Sequence, residues 1–422
     1  MKNIQYILYS LAFLIFNQCT EPKTITQTNI AEDYLNDAGD IDAQFVFHHL
    51  SPDSSSIHYQ IKTDQILFSR ADMNSPYFGS AIVEYTINTA AEPITFVDTG
   101  KIELTFAQQD IINNTIHGSF NIALDSGYYQ VYLKVADGKR PKAKGQYFLI
   151  DKTSPYSNAN FLLHSTDSSI LFNNWVEPGD TVYTVNYRMP NFRYKVKYYQ
   201  RDFDLALPPF FSYSRKAFNY SPDSVFTLSS DGEFFEFSPK KKGFYLFSTS
   251  AKNREGFTIL SFPEPFPQIK TIDQLTEPLR YITSKKEFNT LMASDDIKKA
   301  VDDFWLNCTK NPNRARELVR TYYTRVEEAN RLFTSFKEGW TTDRGMLYIV
   351  LGPPDVVYRS AYAETWTYGE EGGYTSNTFD FIRVKNPFSP NDFELNRSPL
   401  HKNFWYRAVD TWRQWRVTMI AY

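Results

Sequence analysis

The strongest constraint on this chain is a succession of short runs in which apolar and aromatic residues alternate with polar ones, cut by turn chemistry. Between Ala43 and about Asp151 the runs are Gln44–Leu50, Ile57–Lys62, Ala81–Ile87, Ile102–Ala107, Ile116–Leu124, Tyr128–Val135 and Gln146–Ile150. Ser51-Pro52-Asp53, Asp98-Thr99-Gly100, Asp125-Ser126-Gly127 and Asp137-Gly138-Lys139 punctuate them. A period of two places one face of a strand in a core and the other in water. Short strands at this spacing predict an immunoglobulin- or fibronectin-like β-sandwich over residues 42–152. No Cys-Trp-Cys pattern sharpens the choice.

The pattern repeats over residues 157–262, in Phe161–His164, Val182–Tyr187, Phe192–Tyr199, Val225–Leu228, Phe234–Phe237, Phe244–Ser248 and Thr258–Ser261. Pro178-Gly179-Asp180 and Asp231-Gly232 are turns, and Lys240-Lys241-Lys242-Gly243 reads as a solvated basic hairpin tip. A second sandwich is expected here. Pro263-Glu264-Pro265-Phe266-Pro267 cannot continue a sheet, so residues 263–283 read as a linker.

Composition supports a folded, multidomain, mainly β chain. Of 422 residues, 42% are hydrophobic, 22% charged and 17% aromatic, and the net charge of -3 leaves no basic footprint for nucleic acid. The aromatic excess is what β-rich sandwiches carry.

At the N-terminus, Lys2 precedes an apolar run, Ile4–Phe16, too short to span a bilayer comfortably, and Cys19 follows at once. No Ala-x-Ala cleavage site is present. A Cys directly after such a run resembles the lipobox of bacterial lipoproteins, with Asn17-Gln18 standing where small residues are usual. The resemblance implies a signal peptide over residues 1–18, diacylation of Cys19 and anchoring at the outer membrane. Thr20 to Asp40 is polar, so residues 19–41 read as a tether. With Cys19 acylated, Cys308 has no disulfide partner.

Residues 284–422 change character towards an α+β domain. Ser284-Lys285-Lys286-Glu287 fits a capping box, and Ile297, Val301, Phe304, Trp305 and Cys308 follow helical spacing. Asn311-Pro312 restarts the helix, and Leu318, Tyr322, Tyr323, Val326, Ala329 and Phe333 form a second apolar face. Next comes Gly339-Trp340-Thr341-Thr342-Asp343-Arg344-Gly345, then Met346–Leu351 and Gly352-Pro353-Pro354. The six apolar residues closed by Gly-Pro-Pro predict a buried strand ending in a turn. Asp343 and Arg344 are expected to pair, and Trp340 to anchor against the helices bearing Tyr323 and Phe333.

Gly339, Trp340, Thr342 and Asp343, with Arg344, Gly352, Pro353 and Pro354, resemble the motif of the GWxTD domain family. Phe304-Trp305, Tyr323, Arg325-Val326, Ala329-Asn330 and Phe333 are similar to its approach, and Glu364, Trp366 and Tyr368 to its continuation. Lys310-Asn311-Pro312 stands where the family commonly carries Arg-Asp-Pro. The family name brings no biochemical activity with it. Together with Cys19 it points to a Bacteroidota-like bacterial lipoprotein. Asp355–Arg359, Glu364–Tyr368 and Phe379–Val384 read as strands; Phe404 to Trp415 is rich in aromatics and Arg, with helix and strand both open.

Chemistry-bearing motifs are not found in the sequence. His48, His49, His58, His117, His164 and His401 show no HxxxH or HExxH spacing, and no GxSxG, Walker A or GxGxxG occurs. Cys308 reads as a packing residue. Neither cofactor nor metal is expected, and a carboxylate pair that meets only in three dimensions stays open. Two function classes remain. One is a non-enzymatic envelope scaffold binding other envelope proteins in an outer-membrane assembly or secretion machine, with Trp340, Arg344, Glu364, Trp366 and Tyr368 as candidate interface. The other is a cell-wall or surface-polysaccharide binding protein or hydrolase.

The address is testable directly. Mass spectrometry of the mature N-terminus is expected to find an acylated Cys19 in the membrane fraction; an unmodified soluble protein starting elsewhere contradicts the lipoprotein reading.

Overall fold

The computed structural model describes residues 28–35, 41–90, 93–154, 156–212, 217–248 and 256–414. Residues 1–18, Cys19 and Trp415 lie outside them. The architecture is mainly β, with an α+β region at the C-terminal end.

Every run in the first β region is a strand: β1 (Ala43–His49), β2 (Ser54–Lys62), β3 (Phe78–Thr89), β4 (Phe96–Ala107), β5 (Thr115–Ala123), β6 (Tyr128–Asp137) and β7 (Ala143–Asp151). They form two antiparallel sheets, ordered β1-β2-β5 and β4-β3-β6-β7. Ile57 and Ile61 from one sheet meet Val83, Val131 and Leu133 from the other in a single core. His48 and His49 are both buried.

The second region holds β8 (Leu162–His164), β9 (Trp175–Val176), β10 (Val182–Val185), β11 (Arg193–Tyr199), β12 (Ser224–Ser229), β13 (Phe234–Phe237), β14 (Gly243–Ser248) and β15 (Phe257–Ser261). One sheet is ordered β13-β10-β8 and the other β12-β11-β14-β15-β9, closed by a parallel β15–β9 pair that the sequence reading missed. In β14, Tyr245 and Phe247 face the core of this region. Phe244 and Leu246 face the opposite way and are equally buried, in an aromatic cluster with Phe336 and Phe388. A sheet covered on both faces needs near-continuous apolar strands, and five of six residues of β14 are buried.

The C-terminal region contains α1 (Ile272–Thr276), α2 (Lys285–Met292), α3 (Ile297–Thr309), α4 (Pro312–Phe333), α5 (Asp343–Leu351), then β16 (Val356–Arg359), β17 (Ala363–Tyr368), β18 (Asn377–Arg383), β19 (Phe393–Leu395) and α6 (Lys402–Arg413). Ser284 caps α2 in the expected box. Asn311 caps α4, its side chain accepting from the amides of Asn313 and Arg314. An Asn performs that task as an Asp does. The strands form an antiparallel sheet ordered β16-β17-β18-β19. The aromatic C-terminal stretch is helical, and Trp412 lies buried under the Arg325 guanidinium, 5.2 Å from its ring.

Three expectations are corrected. Met346–Leu351 belongs to a helix, not a strand. Every residue of α5 is buried, so the helix shows no polar stripe and its apolar run imitates a buried strand. Residues 263–283 are not a linker along their length, since Leu279, Tyr281 and Ile282 join the C-terminal core. The tether reading also fails for residues 28–35. Ile30, Ala31 and Tyr34 are buried in that same core, while Lys144 and Tyr147 of β7 hold Leu35 and Asp33 beside the first β region.

Candidate functional site

The motif begins where α4 ends. Thr334 Oγ1 accepts from the Gly339 amide at 3.0 Å, and Asn330 Oδ1 accepts from the Trp340 amide at 3.1 Å. Thr342 is the N-cap of α5: its hydroxyl accepts from the Gly345 amide at 3.0 Å and donates to the Gly339 carbonyl at 2.7 Å. The two glycines are required by close approach. A Cβ on Gly345 would lie 2.0 Å from the Gly339 oxygen, and one on Gly339 would lie 2.0 Å from the Ala329 oxygen. Gly352 ends α5 at a φ of 89°, with Tyr368 donating to its carbonyl at 2.9 Å.

Trp340 is buried, but its ring partner is Tyr281 at 6.1 Å, in an edge-on contact. Its indole N–H donates to Glu338, which also pairs with Lys242 of the basic hairpin tip at 3.1 Å. That tip is therefore held against the motif.

Asp343 and Arg344 do not pair with each other. Side chains at adjacent helical positions diverge, and each finds its own partner. Asp343 receives two Arg397 bonds, at 2.5 and 3.1 Å, and the Leu395 amide at 2.8 Å. This fastens the N-terminus of α5 to β19, where the helix dipole also favours a carboxylate. Arg344 lies on the Phe393 ring at 4.2 Å, donates to the Asn391 carbonyl at 2.9 Å and meets Glu364 at 3.3 Å.

Glu364 is completely buried on β17. One carboxylate oxygen accepts from the Tyr34 hydroxyl at 2.7 Å and the Trp366 indole at 2.6 Å. The other faces Arg359 at 2.8 Å and Arg344. Burial alone pushes its pKa up, but the two guanidiniums and these hydrogen bonds outweigh it and hold the carboxyl at about 2. The group is ionised and saturated.

The candidate interface therefore needs correcting. Trp340, Arg344, Glu364, Trp366 and Tyr368 are all buried and offer no surface. Arg344, Glu364 and Trp366 do converge, around Tyr34, a residue the sequence reading left in the tether. Only the paired apolar spacing of Ile30 and Tyr34 marked that segment in the sequence.

An open cleft of about 1000 Å³ lies beside the motif. Asp343, Tyr281 and Lys337 line one side, Trp405 and Tyr406 of α6 another, and residues 204–210 of the second β region close it. That segment is fastened by Arg397 donating to the Leu207 carbonyl at 3.1 Å and by the Ser398 amide donating to Pro209 at 3.1 Å. The lining is mixed in charge, with Arg280 and Lys285 against Asp204, Glu394 and Asp410. Tyr406 is half exposed and packs on Phe210 at 5.3 Å. Cys308, partly buried on α3, has its thiol pushed up to about 11 by burial, far from thiolate chemistry. Among the described residues no three metal-ligating side chains converge, and no helix is long and apolar enough to cross a membrane.

Residues 243–414 match the GWxTD domain. The match supports the family resemblance carried by Gly339 to Pro354. It begins at the first residue of β14, 41 residues before the boundary at 284 drawn from sequence (284 - 243 = 41). The packing explains this start, because the outer face of β14 and β15 is buried against Phe336 and Phe388. No curated protein matches the chain. Among solved structures, the crystal structure of red sea bream transglutaminase is similar over 53% of this chain and 31% of that one, at 11% identity and a TM-score of 0.19. So low a score carries no argument.

The motif's packing generates a test. Replacing Trp340 by Ala is expected to destabilise the GWxTD domain by about 3–5 kcal/mol, and Gly345→Ala to destabilise it through backbone displacement. Urea denaturation of the full chain checks both; parental midpoints for either variant contradict the packing role.

Proposed function

We propose that the protein is a non-enzymatic cell-envelope lipoprotein, anchored through Cys19 at the outer membrane, that acts as a scaffold for other envelope proteins. The observation that carries this reading is the fate of the motif's polar groups. Asp343, Arg344 and Glu364 are consumed in internal bonds joining α5, β17, β19 and the N-terminal segment. A reactive group needs a free proton or lone pair within reach of a substrate; Arg344 and Glu364 are enclosed, and Asp343, though it lines the cleft, is held by Arg397 and the Leu395 amide. They support a rigid joint that holds modules in fixed relation.

The two β regions fit this role as presentation modules. We assign the first to the immunoglobulin/fibronectin-like sandwiches, with β4 paired to β3 in the four-stranded sheet, and the second to a variant extended by β9. The partner surface is reassigned from the buried motif residues to the cleft edge, where Tyr406 and Lys285 are accessible. Tyr406 with Arg280 and Arg413 beside it in the cleft lining gives the Tyr and Arg enrichment that interfaces show.

A second reading has one observation in its favour. The cleft combines Asp204, Glu394 and Asp410 with the Tyr406–Phe210 pair, which suits a glycan of cell wall or surface polysaccharide. The exposed aromatic is a Tyr, while Trp405 is buried.

Affinity purification from detergent-solubilised envelope separates the readings. The parent is expected to recover a stoichiometric protein partner, and a folded Lys285→Glu, Tyr406→Ala variant to lose it. Recovery of no protein, with release of reducing ends from envelope polysaccharide, overturns the scaffold in favour of the hydrolase.

A further inference from the structure

The N-terminal segment is held as a bound peptide is held. The edge of the C-terminal sheet is β16, and the Ile30 amide donates to the Val357 carbonyl at 2.9 Å. Asn29 completes the pairing with its side chain. Its Oδ1 accepts from the Val357 amide at 2.8 Å and the Ala31 amide at 2.9 Å, and its Nδ2 donates to the Asp355 carbonyl at 3.2 Å. Ile30 is buried. Four residues on, Tyr34 inserts between Phe333 at 5.5 Å and Trp366 at 5.3 Å. The Tyr34 hydroxyl donates to Glu364 and receives Arg359, and the Tyr348 hydroxyl caps the Tyr34 carbonyl at 2.9 Å.

These contacts combine the two parts of strand-addition recognition: main-chain bonds to a sheet edge supply affinity, and side-chain pockets supply specificity. A phenol-reading carboxylate at the base of an aromatic pocket disfavours Phe or Leu, because they leave a buried Glu364 lone pair and an Arg359 N–H without the hydroxyl that serves both.

Another feature sets the segment apart from a permanent core element. Asp33 lies partly buried between the GWxTD domain and β7, and the loss of solvent raises its carboxyl to about 6. Arg359, the Tyr147 amide and Lys144 pull it down, and Glu364 pushes it up. The phenols of Tyr132 on β6 and Tyr147 on β7 face it as well. A free Asp titrates near about 3.9. The docked form thus holds its proton more tightly, and docking is strongest in acid and weakens as pH rises through about 6.

We propose that the β16 edge and the Tyr34 pocket form a peptide-binding site for a segment of the form Asn-Ile-x-x-x-Tyr, filled in cis by residues 29–34 and open to the same segment donated by a second copy of this chain. The donor is identified by its own fit: residues 29–34 already satisfy every contact of the site. Exchange of one short segment between identical chains needs no new surface. It is independent of the scaffold and glycan readings, since it uses neither the cleft nor Cys19.

The test uses the full chain and a fluorescein-labelled synthetic peptide of residues 28–35. The Tyr34→Ala chain is expected to bind the peptide saturably, and the parent at least about tenfold more weakly, because its own segment competes at high effective concentration. A peptide carrying Tyr34→Ala is expected to bind neither. Binding of the wild-type peptide should be tighter at pH 5 than at pH 7.5, and the Asp33→Asn peptide should lose that dependence. A folded Tyr34→Ala chain that ignores the peptide overturns the site. Should that variant fail to fold, hydrogen exchange on the parent decides. The Ile30 and Val357 amides are expected to exchange at least about tenfold faster than those of Ile349 and Phe381, and equal rates overturn the proposal. Sedimentation tests the donor: a dimer that grows with concentration and disappears in Tyr34→Ala is expected, and a strictly monomeric parent overturns the second copy as donor.

Discussion

A single buried carboxylate organises the C-terminal half of this protein. Glu364 sits at zero exposure with Tyr34, Trp366, Arg344 and Arg359 around it. An ionised carboxylate in such a place is tolerated only when its charge is balanced and its lone pairs are filled. Each donor arrives from a different stretch of chain: Tyr34 from the N-terminal segment, Arg344 from α5, Arg359 from β16 and Trp366 from β17 itself. Removing an arginine leaves buried charge uncompensated and removing Tyr34 or Trp366 leaves a buried lone pair unfilled, so the four stretches are bound to one arrangement. Removing one partner of such a buried cluster is far more costly than the cluster's net contribution to stability.

The motif around Gly339 is the mould for that arrangement. Gly339 and Gly345 let two backbones approach closer than any Cβ permits, and Thr342 starts α5 at that point. The helix then delivers Asp343 to Arg397 and Arg344 to Glu364. A second joint lies on the far side. Phe388 meets Tyr199, Phe218, Phe244 and Phe336 at 4.9 to 5.5 Å, gathering the outer face of the second β region onto the GWxTD domain. The first β region is attached through the N-terminal segment, with Lys144 donating to the Leu35 carbonyl at 2.8 Å. Ring packing and main-chain clamps therefore turn a modular chain into one connected body. Such connection is what the proposed scaffold role requires.

Strands were legible because alternation is a local property: Tyr128–Val135 shows its buried face in eight letters, and β6 follows it. The capping box at Ser284 and the helix restart at Asn311-Pro312 were legible for the same reason. What escaped depends on distance. Met346–Leu351 reads as a strand because a short apolar run carries no helical period when, as in α5, every side chain is buried by tertiary partners. The partners of Asp343 and Arg344 lie 54 and 20 residues away, beyond any spacing rule. Tyr34 was hidden because two apolar anchors in a polar stretch look like a tether until their pocket, assembled more than three hundred residues later, is in view. The candidate interface failed for a related reason. Trp, Tyr and Arg mark binding surfaces and buried polar cores alike, and sequence alone does not separate the two.

The most direct test of the account is a double-mutant cycle between Tyr34→Phe and Arg344→Lys, measured by urea denaturation of the full chain. The two side chains meet through Glu364 and through the Phe333 ring that both touch. The account predicts a coupling energy of about 0.5–3 kcal/mol, as for members of one buried network. Effects that add within about 0.3–0.5 kcal/mol would show that the N-terminal segment and α5 are stabilised independently, and would contradict it.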